Sequence, residues 1–413
     1  MSRYLPPNLK LPVFFTFCAL CLALICLAYA PLMVRATATP GPGAFENVAG
    51  ATPAGDFSVF YAAGRLANAD ALPLAYDSKA LFAEYADFTA APKAMETPFA
   101  YPPPAASLMA PFAVLPPWPA LTAWIAALGL AAALSAWFAT RRASGAVAAL
   151  IYPGAGATLS CGQTSLFAVP SFALALIWWR TRPLLAGIAL GVLIWKPHLA
   201  LGAGLIALLT RQWRVVAGGI IGALGACLMT LPFVGLESWR AFVAAITLQA
   251  GLTADGELPL FRMLTAFSAA RTFGWETGPA LALHACAAIA GMWVVLRLWQ
   301  AEALWVRAFA LTISAALISP YIYDYDLGLL ALPFAILAAH VATERKARTW
   351  TSLAWLALLA LAPIASLTVS VLAKTNFGAT VVLMLLVAAA IGPLRLVPRG
   401  AARNHPTGAP VAA

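Results

Sequence analysis

Charge is what this chain most conspicuously lacks. Only 10% of its 413 residues are Asp, Glu, Lys or Arg, and the acids number 15. With 62% hydrophobic residues and a mean hydropathy of +0.86, a water-soluble globule is excluded. No compact fold of this size hides so much apolar surface, so the excess must face lipid. The ten-residue alternation of a membrane β-barrel is also missing, which leaves helices. The six cysteines, Cys18, Cys21, Cys26, Cys161, Cys227 and Cys286, all lie in apolar runs. Cys18 and Cys21 have CxxC spacing but no His or Cys partner set, so they read as small packing residues and not as metal or redox ligands. The net charge of +10 does not gather on one soluble face, which excludes a nucleic-acid partner.

What is present is a series of apolar runs separated by short basic gaps. The pattern predicts an all-α polytopic membrane protein with about twelve hydrophobic segments. These fall near 12–34, 120–140, 145–160, 163–179, 184–209 (counted as two), 215–233, 279–299, 304–319, 327–342, 350–372 and 377–394. The short basic start, through Lys10, with its run of about twenty apolar residues, reads as an uncleaved first helix with a cytoplasmic beginning. Basic pairs and clusters mark the inner gaps, while two long outer loops, 35–104 and 234–278, carry most of the acids. Both termini are thus placed in the cytoplasm, with 1–399 as a single membrane-embedded domain and 400–413 as a disordered tail.

The run 184–209 has Lys196-Pro197-His198 at its centre and arginines on both flanks. If both flanks are inner, it is two short helices meeting at a break, for which Pro197 supplies the cause. Broken helices at membrane depth line protein or water cavities, which places Lys196 and His198 beside an outward-facing hollow. The stretch 105–115, bounded by Tyr101-Pro102-Pro103-Pro104, is too short to cross and reads as interfacial or re-entrant.

Asp56 is the first Asp in the chain and opens a helical pattern in the first outer loop. One reading makes it an N-cap or first-turn residue. The other makes it a site. The topology brings Asp56, Gln163, Lys196, His198, Arg262, Tyr323, Asp324 and Asp326 to one side of the membrane. Singly, each reads equally well as an interface anchor; as a set of costly ionisable and polar groups they favour a site. Outside the cytoplasmic membrane there is no nucleotide-sugar pool, so glycosyl transfer there uses a lipid-phosphate sugar. That reaction needs a carboxylate to deprotonate the acceptor, cations to hold the departing phosphate and an apolar groove for the prenyl chain. Asp56 answers the first need. Lys196 with Arg262 or His198 answers the second, and 105–115 the third. Tyr61, Arg65, Tyr101, Gln163, Tyr323, Asp324 and Asp326 are the candidate substrate contacts. Three carboxylates spread over two loops do not form a recognisable metal site, so neither metal nor cofactor is assigned.

The ordered pieces Asp56-Phe57-Ser58-Val59-Phe60-Tyr61-Ala62-Ala63-Gly64 with Tyr76-Asp77, Phe99-Ala100-Tyr101-Pro102-Pro103, Gly162-Gln163-Thr164-Ser165-Leu166, the stretch from Gly187 to Lys196-Pro197, and Ser319-Pro320-Tyr321 cover about 50–330. In this series the chain resembles glycosyltransferase family 87 of the GT-C superfamily, which includes polyprenyl-phosphate-mannose-dependent α-mannosyltransferases. The resemblance implies a GT-C fold, a polyprenyl-phosphate sugar donor (by family, mannose), a lipid or glycan acceptor, an inner-membrane address with the site facing outward, and a catalytic role for Asp56. Many members carry a His-containing stretch after the later Ser-Pro, whereas this chain has Tyr323-Asp324-Tyr325-Asp326. Three other readings stay open: a related transferase with another donor such as a phospho-arabinose lipid, a transporter or lipid flippase, and a non-catalytic assembly subunit. The transporter reading lacks the internal repeat that such folds show.

Overall fold

The computed structural model describes residues 7–41, 45–47, 51–89 and 98–392, with side chains from Phe14 onward. The chain's first six residues, Arg395, Arg399 and Arg403, expected on the inner side, and the tail 400–413 lie outside the described residues. The described chain is helical, with two isolated β-bridges and no strand among those residues.

The helices in order are α1 (Pro7–Ala38), α2 (Gly55–Asn68), α3 (Ser78–Phe88), α4 (Pro104–Met109), α5 (Pro117–Thr140) and α6 (Ala143–Ile151). They continue with α7 (Pro153–Cys161), α8 (Ser165–Trp178), α9 (Pro183–Gly191), α10 (His198–Leu209), α11 (Trp213–Asp255) and α12 (Ala266–Thr272). The last six are α13 (Thr277–Leu298), α14 (Leu304–Ile313), α15 (Ala315–Ile318), α16 (Ala331–Thr343), α17 (Trp350–Ala373) and α18 (Gly378–Ile391). Among the described residues, six stretches are long and apolar enough to cross a membrane: 14–38, 117–140, 213–255, 277–298, 324–343 and 350–373. Five shorter apolar helices fill out the body. The chain is a multi-pass membrane protein.

The run 145–160 divides at Pro153, which opens α7 after an extended Tyr152; a proline suits a first helical position because its missing N–H would be unbonded there anyway. The segment at 215–233 does not stop at 233. It continues through α11 with a bend at Gly235, whose φ of 69° and ψ of 158° leave the helical region, three residues after Pro232. Much of what the sequence marks as the start of the second outer loop is therefore helix.

The run 184–209 is broken where Pro197 stands. α9 gives way to a 3₁₀ turn, Val192–Trp195, then to Lys196 at φ −143°, ψ 67°, and α10 begins at His198. Close glycine contacts show its course. A Cβ on Gly187 would strike Val215 and Gly219, and one on Gly191 would strike Gly219 and Ala223. The chain thus re-enters α11 at the level where α9 began, with Arg182 and Arg214 at the same end. At about 1.5 Å rise per residue, α10 is roughly 18 Å long, short of a hydrocarbon core of about 30 Å. Lys196 sits at the tip of this in-and-out pair.

The stretch 105–115 proves to be the six-residue α4 followed by turns. Its buried residues Ala105, Ala106 and Met109 are spent on packing, since a Cβ on Gly64 of α2 would meet Met109 and Ala113. That face is covered by protein, while Val114 and Leu115 just beyond it are exposed.

Candidate functional site

Four sequence-distant elements meet at the end of the bundle where α5 and α8 begin. The first is the start of α2. Asp56 lies in its first turn, where the helix dipole favours a carboxylate. It does not cap the helix: the N-cap position is Ala54, which holds a left-handed φ of 43° without a side-chain bond to the helix. The carboxylate is instead free to turn outward.

The second element is the turn between α7 and α8. Gly162 holds φ 69°, and a Cβ there would collide with Phe57. Glycine therefore allows this turn to lie directly on the first turn of α2, and the next residue, Gln163, reaches the acid. Gln163 Nε2 donates to Asp56 Oδ2 at 2.9 Å and to the Tyr101 hydroxyl at 3.0 Å. Trp124 of α5 anchors the turn from behind, its indole N–H donating to Gly162 O at 2.9 Å.

The third element is the tip of the broken pair. Lys196 is 1% exposed and donates to Asp326 Oδ1 at 2.6 Å, to Ser165 Oγ at 3.2 Å and to Gln163 Oε1 at 3.4 Å. Ser165 in turn donates to Asp326. Asp326 is held from its own backbone too, accepting from the Tyr323 N–H at 3.2 Å. This buried ion pair satisfies both charges, as burial demands.

The fourth element is the loop before α12 and the stretch 320–326. An antiparallel bridge joins Met263 to Tyr323, and Leu264 N donates to Ile322 O at 2.9 Å. The bridge lays Arg262 beside Asp324, and the guanidinium forms a two-pronged bond, Nε to Oδ2 at 3.0 Å and Nη2 to Oδ1 at 2.8 Å. Asn376, in the turn between α17 and α18, clamps the loop by donating to Leu260 O at 2.8 Å and Met263 O at 2.9 Å.

These parts enclose a cavity of about 200 Å³ lined by Asp56, Tyr101, Gln163, Arg262, Tyr321 and Tyr323, among others. That is below the range usual for a whole small-molecule ligand, roughly 300–1,000 Å³, and suits part of one. Asp56 is half-exposed by surface area because it faces the cavity, yet protein surrounds it. Desolvation raises its pKa above the usual aspartate value, against the Gln163 hydrogen bond and the positive charges of Arg262 and Lys196, which lower it. Burial also holds Tyr101 well above its ordinary pKa, so it remains a hydroxyl. Among the described residues no group of three or more His, Cys, Asp and Glu could hold a metal ion.

Of the residues singled out in the sequence, Asp56, Tyr101, Gln163, Arg262 and Tyr323 line this cavity. Lys196, Asp324 and Asp326 stand behind it as partners of Gln163, Arg262 and Tyr323, which do. Tyr61, Arg65 and His198 are not brought to it. Tyr61 stacks on Phe57 and donates to Leu115 O at 2.7 Å. Arg65 is taken by Glu84 at 2.5 Å and Asp87 at 2.8 Å. His198 packs its ring near Tyr321, centroids 6.3 Å apart. Sequence reasoning missed Gln249, which lines the cavity and donates to the Tyr321 hydroxyl at 3.3 Å. Its only signal was an amide in an otherwise apolar helical run. Ser165 lies in the motif Gly162-Gln163-Thr164-Ser165-Leu166, whose pattern gives it no role of its own.

Comparison with known proteins gives one match. The model of glycosyltransferase family 87 matches residues 99–320. The match takes in Tyr101, Gln163, Ser165, Lys196 and Arg262; Asp56 precedes it, and Tyr323 to Asp326 follow it. No curated protein and no solved structure matches.

Proposed function

The chain belongs to glycosyltransferase family 87 and is a membrane glycosyltransferase, and on that premise we propose that it moves a hexose, mannose by family habit, from a polyprenyl-phosphate donor to a lipid or glycan acceptor. The transfer takes place on the outer face of the cytoplasmic membrane, with both chain ends inside. Family membership sets the transporter and the assembly subunit aside. The observation that carries the mechanism is the pairing, across one cavity, of a carboxylate with a raised pKa and a guanidinium: Asp56 and Arg262.

Asp56 accepts the proton of the acceptor hydroxyl as that oxygen attacks the anomeric carbon. The bond from that carbon to the phosphate oxygen breaks, its electron pair leaves on the polyprenyl phosphate, and configuration inverts. One base suffices, because a phosphate leaves without the protonating acid that paired-carboxylate glycosidases supply. Arg262 faces the departing phosphate with a planar, multiply donating cation. Asp324 holds it in position and competes for its charge, so the phosphate gains by joining the pair and not by replacing Asp324. Lys196, walled off behind Gln163 and Tyr101, acts through them: it fixes Gln163, and Gln163 fixes Asp56.

The prenyl chain has a better home than 105–115. An apolar hollow of about 510 Å³ lies between α13 and α18, and Thr265, His284 and Thr380 are the polar residues of its lining. Leu264 and Thr265 line this hollow while Arg262 lines the smaller cavity, so one short loop borders both. The test is reconstitution of the purified protein in vesicles with a radiolabelled polyprenyl-phosphate mannose and membrane extract as acceptor. Label moving from the carrier to an extractable product supports the reading. Label that stays on the carrier, while a polyprenyl-phosphate arabinose is consumed, replaces mannose with the alternative sugar.

A further inference from the structure

At the end of the molecule opposite the candidate site, three arginines converge on a second cavity. α5 carries Trp124 at the site and Arg141 just past its last turn. Seventeen residues of helix place the two about 25 Å apart at 1.5 Å per residue. The cavity there measures about 430 Å³ and lies between the ends of α5 and α8 and the start of α14. Arg141, Arg180 and Arg307 line it.

None of the three has a carboxylate partner among the described residues. The contrast is Arg142, next in the chain, which lies 3.8 Å from Glu344. Arg141 sits over the Phe138 ring at 4.5 Å, with φ 55° turning the chain out of α5. Arg307 is half-buried, and its Nε is shut off from solvent with no hydrogen-bond partner. A buried guanidinium N–H without an acceptor is costly, and Arg141 and Arg180, both exposed, add like charges around the same hollow. The start of α14, a ten-residue helix that no side chain caps, borders the same space through Leu304. Cations and helix N–H groups together describe an anion site. Beside the arginines and Thr181, the lining is apolar, with Phe138, Ala139, Leu176, Ile177 and Leu304.

We propose that this cavity binds the phosphate of an anionic phospholipid, with an acyl chain lying along Phe138, Leu176 and Ile177. Guanidinium groups match phosphate oxygens in two-pronged fashion. Basic pockets between membrane helices hold acidic lipid headgroups by the same means. The apolar wall favours a lipid over a soluble phosphate ester, which has nothing to place there.

The experiment uses the full-length protein in neutral detergent, stripped of lipid, and follows its thermal midpoint. Phosphatidylglycerol, phosphatidylcholine of the same chains and inorganic phosphate are added separately. Phosphatidylglycerol raises the midpoint; phosphatidylcholine and phosphate at matched concentration do not. In Arg180→Gln/Arg307→Gln the rise falls by at least half, and in Arg180→Lys/Arg307→Lys most of it returns. Native mass spectrometry reads the same result as loss of retained anionic lipid in the Gln pair, a measurement that does not depend on the variant's own melting point. An equal rise in wild type and the Gln pair overturns the site. An equal rise with inorganic phosphate overturns the lipid as its occupant.

Discussion

Gln163 holds Asp56 through a 2.9 Å hydrogen bond that spans 107 residues of sequence. The same amide also reaches the Tyr101 hydroxyl and receives the Lys196 ammonium, so the one acid facing the cavity from α2 is oriented by a three-residue relay. Because Gln163 donates to the charged form of Asp56, it holds down a pKa that burial has raised.

That gives a pH prediction. The base must be ionised to act, so transfer increases as pH rises through the raised Asp56 pKa. Gln163→Leu removes the hydrogen bond that lowers this pKa and moves the acid limb of the rate profile to higher pH, with a lower plateau. The reading is a pH–rate profile of both proteins at saturating donor. A limb that stays in place while the rate falls would leave Gln163 a packing role only.

The Lys196–Asp326 pair is buried at both ends, each side chain 1% exposed. Removing one partner strands the other's charge, so Lys196→Met destabilises by about 3–5 kcal/mol. Lys196→Met/Asp326→Leu recovers most of that loss. Midpoints in detergent measure it; a double variant no more stable than the single one would show that the pair is not the source of the loss.

Gly162 is the contact point between the turn and α2. Gly162→Ala must strain a φ of 69° and displace Phe57, a loss of about 1–3 kcal/mol. Transfer falls further than the stability loss explains, since Gln163 moves with the turn. Comparing turnover per folded molecule with the melting point separates the two effects.

Arg262→Lys keeps the charge and loses the fork. A charge-assisted hydrogen bond is worth about 1.5–3 kcal/mol, so donor KM rises roughly tenfold or more while the melting point changes little. A wild-type KM would remove Arg262 from the phosphate.

Much of this site was legible because polar residues are so rare here. In an apolar chain Asp56, Tyr101, Gln163, Arg262 and Tyr323 stand out, and Pro197 announces its break. The pairings were not legible. Arg262 meets Asp324, and not the neighbouring Asp326, because of the bridge from Met263 to Tyr323, which no local pattern encodes. The sequence marks Lys196 as a donor contact, but a lysine's partner depends on which carboxylate the fold buries beside it. Tyr61 and Arg65 could have been set aside on helix geometry alone. At 3.6 residues per turn, Arg65 lies about 180° around α2 from Asp56 and Tyr61 about 140°, whereas Phe60 lies about 40° away and does line the cavity. The hollow between α13 and α18 joins segments a hundred residues apart and left no mark in the sequence.

The central claim is that Asp56 takes the acceptor's proton, and Asp56→Asn tests it most directly. The amide oxygen can still accept from Gln163, so the fold is kept, and the loss of a buried charge leaves the variant at least as stable as wild type at neutral pH. Transfer from the labelled polyprenyl-phosphate sugar should fall by about 10²–10⁴-fold, the usual contribution of a general base, with donor binding retained. Transfer at the wild-type rate by the folded Asn variant would contradict the account.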